Sequence, residues 1–273
     1  AQKFEELWGQ PVVVENIAGN SGAIGVDRVA KAAPDGYTLM WSGNAAITLL
    51  PSLQKLPFDP LKDFDHITIA LGTASVILVN NDLPVKSLAD LVAYAKANPG
   101  KLSYGSPGVG TPQHVAGEML CAQAGIKMEH IPYRGAGPAM QDTIAGNVPS
   151  MFDSLPSAAP HIKAGKVRAL AVSGAERNPS FPDVPTMKEQ GFPDLVSYSW
   201  FGLSGPANLP APIVERLAKE MQVVLKEPDV VKRWQEIGAE SSTMKPEEYS
   251  QFVKTELEKA TIAVKASGAK PGD

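Results

Sequence analysis

The chain has 273 residues, of which 44% are hydrophobic and 20% are charged, and its formal net charge is −4. This length exceeds the size at which one hydrophobic core usually stops growing, so it predicts two lobes. The weak negative charge, without any cluster of lysine and arginine, argues against a nucleic-acid partner. The single cysteine, Cys121, excludes an intramolecular disulfide and a cysteine metal cluster. No apolar run approaches the roughly 18 residues that a membrane-spanning helix requires.

The predicted elements alternate between strand and helix along the chain. Phe4 and Leu7 lie among polar residues, which predicts that the sequence opens inside a helix and that further residues precede Ala1. Strands are predicted at 11–15, 38–42, 67–72, 75–80, 102–105, 129–132, 150–153, 167–173 and 196–204. Helices are predicted at 22–33, 87–97, 112–124, 138–145, 157–164, 211–226, 229–237 and 246–265. This alternation predicts an α/β architecture with mostly parallel sheets.

Two extended segments are interpreted as crossings between the two lobes. Residues 67–80 are almost continuously apolar and too long for one ordinary strand, and residues 197–206 form a second such segment. If both are hinge strands, domain I consists of residues 1–80 and 202–273, and domain II is the inserted lobe 81–201. Such a protein closes on a ligand by hinge motion. The alternative is a single, larger α/β domain with two long strands.

The segment Tyr-Gly-Ser-Pro-Gly-Val-Gly-Thr-Pro at 104–112 is the most informative motif. A short strand enters a loop of glycine, serine and proline, and a helix follows. Free backbone N–H groups at a helix start can bind an anion. The loop is neither a Walker A loop nor a dinucleotide fingerprint, so it favours a small anion such as a carboxylate. Loops of similar build follow the predicted strands at 11–15 and 129–132, and ligands of open α/β sheets bind at strand ends. Each loop alone is also explained by an ordinary tight connection.

The sequence offers little catalytic chemistry. It contains no Gly-x-Ser-x-Gly elbow and no His-Glu-x-x-His motif. His114 and Glu118 are spaced to share a helix face, but two ligands do not make a zinc site. Asp153 follows a predicted strand, where it could face a cleft or cap the next helix. Arg134 could bind a carboxylate bidentately or remain solvated.

Several segments in a fixed order resemble the Bug family, the solute-binding proteins of tripartite tricarboxylate transporters. The matching segments span about 180 residues and carry these motifs, in order: QPVVVEN at 10–16, the small-residue loop 19–25, AAPDGYTL at 32–39, LPFDP at 56–60, the loop 102–111, IPYRG at 131–135, GKVRALAV at 165–172, DVPT at 183–186 and EQGF at 189–192. The match as a whole is specific, although each motif alone is weak.

The resemblance implies a type 2 periplasmic binding protein fold with two lobes and two crossover hinge strands, and a periplasmic location. It implies a small mono- or dicarboxylate ligand, with aromatic carboxylates included, that is delivered to the membrane subunits of a tripartite tricarboxylate transporter. It further implies a monomer without catalytic activity, metal or cofactor. The family also begins with a strand and a ligand-binding loop that have no counterpart in this sequence. The positions that match ligand-facing segments of the family are Ser42, Asn44, Ser106, Gly110, Thr111, His114, Tyr133, Arg134, Gly135 and Asp153.

Two other functions remain open at the level of sequence. The same fold can act as a sensor that passes carboxylate occupancy to a signalling partner. A hydrolase or isomerase that uses a cleft residue such as Asp153 or His114 is the third possibility. Fold analogy alone does not decide among them.

Overall fold

The computed structural model describes residues 1–269. Its helices are α1 (Gln2–Trp8), α2 (Ala23–Ala30), α3 (Leu50–Leu53), α4 (Leu88–Ala97), α5 (Pro112–Ala124), α6 (Ala136–Ala145), α7 (Leu155–Lys163), α8 (Ala211–Val224), α9 (Pro228–Glu236) and α10 (Pro246–Ser267). Its strands are β1 (Met40–Gly43), β2 (Phe64–Asn80), β3 (Ser103–Ser106), β4 (Glu129–Pro132), β5 (Ser150–Ser154), β6 (Val167–Val172), β7 (Tyr198–Pro206) and β8 (Glu240–Ser241). A 3₁₀ turn precedes α2 and a π-helical turn precedes α3. Within residues 1–269, no helix is both long and apolar enough to cross a bilayer.

The 17-residue strand β2 joins two sheets. Its first part, up to Ala74, pairs with β7 and β8, and β7 pairs with β1. From Ser75 onward, β2 pairs instead with β5 and β6, and β3 lies between β5 and β4. The sheet orders are therefore β1-β7-β2-β8 and β6-β2-β5-β3-β4. The predicted strands 67–72 and 75–80 are one continuous element.

Strand β2 is mostly apolar because helices cover both of its faces. Ile77 and Val79 pack in a core with α4 and α5, whereas Val76 and Leu78 pack on the opposite face with α6 and α7. In the other sheet, Ile69 contacts the core beside α2 and α10. A strand buried on both faces reads as a continuous apolar run rather than as an alternating pattern.

The prediction of mostly parallel sheets is wrong, since the sheet β1-β7-β2-β8 is antiparallel and the sheet β6-β2-β5-β3-β4 is mixed. Strands β3, β4 and β5 are parallel, as helical crossovers require. Strand β2, however, is antiparallel to β5, β6 and β7. The alternation of strand and helix predicts that strands connected by helices run parallel to one another. It does not predict between which strands β2 lies or in which direction it runs.

The predicted strand at 11–15 is also wrong. This segment has no strand partner among the described residues, and the side chains of Val13 and Val14 are 81% and 65% exposed. Its Val12 N–H donates instead to the Glu5 carboxylate, at 2.9 Å. An apolar run becomes a strand only where a neighbouring strand completes its backbone hydrogen bonds.

Helix α5 is held against β3 by a close approach at Gly117. A Cβ atom at this position would lie 2.4 Å from the buried ring of Tyr104. Since α5 begins at the loop 106–111, this contact also sets the position of that loop.

Gly117→Ala should therefore destabilise the fold by about 1–3 kcal/mol through overpacking. Helix propensity alone predicts the opposite, because alanine favours a helix over glycine by about 1 kcal/mol. Urea unfolding measures the difference. The control is Gly137→Ala in α6, where an added Cβ meets no atom within 4 Å and stability should be unchanged or slightly higher. Equal stability of the two variants would contradict the packing argument.

Candidate binding site

A large cavity lies between the two sheets, beside the end of β1, the first part of β7 and the carboxyl ends of β4 and β5. Its volume is about 1960 Å³, because it continues along residues 10–22 as far as α8 and α9. A pocket for one small molecule typically measures about 300–1,000 Å³. The candidate site is therefore one end of the cavity, lined by β1, β7, the loop 107–113 and the starts of α6 and α7.

The helices that follow β3, β4 and β5 begin at this cavity. The N-cap residues of α5, α6 and α7 are Thr111, Gly135 and Ser154, and all three line the cavity. From the other sheet, Asn44 precedes the π-helical turn Ala45–Leu49 and also lines it. The arrangement follows from topology, because β3, β4 and β5 are parallel and each is followed by a helix. Parallel strands bring their carboxyl ends, and so the starts of those helices, to one edge.

These helix starts supply hydrogen-bond donors. The first N–H groups of a helix have no partner within the helix, and the helix dipole places partial positive charge there. No side chain caps α6 or α7. The first-turn amides of both helices, other than at Pro138 and Pro156, which have no N–H, therefore have no capping side chain as an acceptor.

The loop 106–111 uses many of its polar groups internally. The Ser106 hydroxyl accepts from the Gly108 amide at 3.1 Å and lies 2.6 Å from His130 Nε2. The Gly110 amide donates to His114 Nδ1 at 3.1 Å. The Thr111 hydroxyl donates to the Gly108 carbonyl at 2.7 Å and accepts from the His114 amide at 3.3 Å.

Sequence reasoning placed Ser106, Gly110, Thr111 and His114 among the ligand-facing positions, and the structure separates them. Ser106, Gly110 and His114 do not line the cavity and instead shape the loop from beneath. Thr111 does line it, although its hydroxyl is engaged as the cap of α5.

The segment 133–135 lines the cavity and includes one exposed cationic side chain, that of Arg134. The Tyr133 hydroxyl donates to the Asp142 carboxylate at 2.7 Å, and burial together with this carboxylate raises the pKa of Tyr133 to about 12. The Gly135 amide donates to the Pro107 carbonyl at 3.1 Å. Arg134 is exposed, and no salt bridge to it occurs within residues 1–269. The hydroxyl of Tyr133 is thus occupied, whereas the guanidinium of Arg134 is not.

The end of β1 contributes a hydroxyl with no internal partner. Ser42 lines the cavity, and its Oγ is buried without a hydrogen bond in the described part of the chain. Asn44 Nδ2 donates to the Tyr198 carbonyl at 2.7 Å, which ties the end of β1 to the start of β7. A buried hydroxyl without a partner is costly unless a ligand or water supplies one.

Asp153 lies at the end of β5, where it lines the cavity and is fully buried. Its Oδ1 accepts from the Ser154 amide at 2.7 Å, while Oδ2 has no hydrogen-bond partner among residues 1–269. Burial raises the pKa of Asp153 to about 7, and hydrogen bonds from Ser157 and Ser154 oppose this effect. Of the two alternatives drawn from sequence, the cavity position is the observed one, since Ser154 is the N-cap of α7.

Sequence reasoning missed Ser21, Gln113 and Ser199, which also line the cavity. The Ser21 hydroxyl donates to the Val109 carbonyl, and Gln113 Nε2 donates to the Ser199 hydroxyl at 3.2 Å. Each bond joins an element of one sheet to an element of the other. The small residues of the loop 16–25 indicate that Ser21 could lie at a ligand site, whereas no local sequence pattern distinguishes Gln113 or Ser199 from other residues.

The two loops that meet across the cavity depend on glycine at position 108. Gly108 has a φ of 142°, and a Cβ there would lie 2.9 Å from the Ser21 hydroxyl. Residues other than glycine rarely adopt such a positive φ.

No group of three or more His, Cys, Asp or Glu residues able to hold a metal ion occurs in residues 1–269.

Comparisons with known proteins agree with this arrangement. The model of the TctC family, described as the tripartite tricarboxylate transporter family receptor, matches residues 1–269. Protein BugT of Bordetella pertussis is 33% identical over 275 residues, which cover 99% of this chain and 83% of BugT.

Solved structures of similar proteins superpose closely. The periplasmic binding protein BugD has a TM-score of 0.94 at 33% identity and covers 99% of this chain and 91% of its own. A Rhodopseudomonas palustris protein, Rpa4515, solved with adipate, has a TM-score of 0.96 at 31% identity with coverage of 99% and 91%. MatC from the same organism, solved with bound malate, has a TM-score of 0.89 at 30% identity with coverage of 96% and 90%.

These matches confirm the fold expected from the resemblance, that of the periplasmic binding proteins of this type. The family model spans almost the whole chain, and the similar structures cover nearly all of it. The chain belongs to the TctC, or Bug, family of periplasmic solute-binding proteins.

Proposed function

We propose that this protein binds a small mono- or dicarboxylate in the cavity between its two sheets and delivers it to a tripartite tricarboxylate transporter. The observation that carries the proposal is the convergence of the uncapped starts of α6 and α7 with the unpartnered hydroxyl of Ser42. Neutral donors and helix dipoles bind an anion without a dedicated ion pair. Adipate and malate in the structures of two relatives are dicarboxylates and support this ligand class.

The proposed ligand site combines groups from both sheets. Ser42 and Asn44 lie at the end of β1. Thr111, the N-cap of α5, and the segment 133–135 belong to the other sheet, as does Asp153 at the end of β5. Arg134 is the cation at this end of the cavity and adds attraction for a carboxylate. Ser106, Gly110 and His114 hold the loop in shape rather than contact the ligand.

A binding role without turnover is favoured by the composition of the site. The described cavity lining contains no histidine, and the Asp153 carboxylate accepts from the Ser154 amide rather than from an imidazole. A nucleophile and base within hydrogen-bond reach would be expected in a hydrolase.

The two crossings are the proposed hinge. Strand β2 changes partners between Ala74 and Ser75, and the chain returns at Ser197, beside them. The Ser75 amide donates to the Ser173 hydroxyl at 2.9 Å, and that hydroxyl donates to the Ser197 carbonyl. We propose that the two lobes rotate about this point, so that residues 75–80 move with domain II and residues 198–201 move with domain I. A transporter can recognise the loaded protein only if its surface differs from that of the empty one.

The first prediction concerns ligand class. A panel of succinate, malate, adipate and benzoate should include a compound that raises the melting temperature, because a ligand of the folded state alone stabilises it. At a concentration of about 100 times Kd, the stabilisation is about 2.7 kcal/mol. Adipamide, which has the same chain as adipate without its charges, should have no effect. Stabilisation by adipamide or a neutral sugar, with none from any carboxylate, would contradict the proposal.

The second prediction concerns Ser42. Ser42→Ala removes a buried donor, and a hydrogen bond to a charged group contributes about 1.5–3 kcal/mol. Carboxylate affinity measured by calorimetry should therefore fall roughly 10- to 150-fold. The control is Ser250→Ala on the exposed side of α10, which should bind as the unaltered protein does. Equal affinity of both variants would place the ligand away from β1.

The third prediction concerns motion and oligomeric state. Ligand binding should reduce the radius of gyration in solution scattering, because the bond between Ser21 and Val109 that links the two lobes in this structure would be broken in the open, empty protein and formed on closure. The mass from the same experiment should be that of a monomer. Tight binding with an unchanged scattering profile would mean that the cleft is preformed and that the crossings are not a hinge.

A further inference from the structure

Asp153 is a buried acid with one unpartnered oxygen, at the end of the cavity where the starts of α6 and α7 and the Ser42 hydroxyl offer donors. Its side chain has no exposed surface, and its Oδ2 has no hydrogen-bond partner within residues 1–269. It lines the same cavity as the N-cap residues of α5, α6 and α7. An acid placed where an anion is bound needs an explanation, since two like charges in one site repel each other.

No charged group in the described part of the chain compensates Asp153. On the packed elements, residues 75–77 of β2 are not ionisable. The ionisable groups of neighbouring elements are Tyr104 on β3, His114 and Glu118 on α5, Asp142 on α6, His161 and Lys163 at the far end of α7, and Tyr133 and Arg134 in the segment after β4. None of them contributes to the pKa of Asp153, which burial raises to about 7 against hydrogen bonds from Ser157 and Ser154.

We propose that Asp153 binds the ligand carboxylate in its protonated form, so that the ligand and one proton are taken up together. This inference rests on the proposed function and assigns the specificity-determining residue of that site. The proton comes from solvent and remains on Oδ2, which donates it in a hydrogen bond to a carboxylate oxygen of the ligand. Hydrogen bonds of this kind are short and about twice as strong as those between neutral groups.

A protonated acid in the site also determines which ligands are preferred. A bound anion stabilises the protonated acid, whereas a ligand that presents an ammonium group would stabilise the ionised acid. Carboxylates without a neighbouring cation should therefore be preferred, and their binding should weaken as pH rises.

Calorimetry with the carboxylate from the panel that stabilises the protein most tests this inference. Between pH 6.5 and 9 the free ligand remains ionised. Affinity should be nearly constant up to about pH 7 and should fall about tenfold for each further pH unit, because a proton must then be taken up. At pH 8, the difference between binding enthalpies in phosphate and Tris should correspond to the uptake of about one proton per ligand.

Asp153→Asn provides the matched variant, since its amide can donate without titrating. It should bind the carboxylate with an affinity that does not change with pH and without proton uptake. Asp194→Asn, at an exposed position of the same chain, should retain the pH dependence of the unaltered protein. Tight binding that is independent of pH, or that strengthens as pH rises, would overturn the inference and leave the proposed function intact. Absence of carboxylate binding at every pH would overturn both.

A measurement without ligand tests the state of Asp153 separately. Its pKa is higher in the folded protein than in the unfolded chain, so the folded state binds more protons between about pH 4 and pH 7. This group therefore reduces stability as pH rises through that range. The melting temperature of Asp153→Asn, relative to the unaltered protein, should rise from pH 4 to pH 7 and then level off. A difference that stays constant over this range would show that Asp153 titrates normally and would overturn the inference.

Discussion

The structure depends on one strand that both sheets share. Strand β2 is buried on both faces over most of its length and exchanges β7 for β5 between Ala74 and Ser75. Because its backbone is continuous, β2 belongs to both halves of the molecule. The cavity opens beside the point where it passes from one sheet to the other. The same strand accounts for the antiparallel pairing in both sheets and for the position of the second crossing at Ser197.

Much of this architecture could be predicted from sequence, because it rests on local patterns. The apolar run at 67–80 indicates an extended crossing between lobes, and helices are predicted at 112–124 and 87–97, where α5 and α4 lie. Ser87, at the start of the second predicted helix, caps α4, since its hydroxyl accepts from the Asp90 amide at 3.0 Å. The direction of β2 and the absence of a strand at 11–15 were not predictable, because both depend on which strand lies alongside.

The site was predictable as a set of segments but not as a set of contacts. The loop 106–111 was identified by its glycines and hydroxyl groups, yet a hydroxyl can face the cavity or the protein. A polar layer beneath the loop decides this: His114 and His130 stack at 4.1 Å, and His130 lies 2.6 Å from the Ser106 hydroxyl. That layer brings together residues from α5 and β4, and no short motif encodes it. Asp153 shows the same limit, since its place after a strand is visible in the sequence but the lack of a counter-charge is not.

The central claim is that helix amides and the Ser42 hydroxyl, rather than an ion pair, bind the carboxylate of the ligand. A crystal structure of the protein grown with a stabilising carboxylate tests this most directly. The account predicts carboxylate oxygens within about 2.7–3.2 Å of first-turn amides of α6 or α7 and of Ser42 Oγ. A ligand held mainly by Arg134, or bound elsewhere along the cavity, would contradict it.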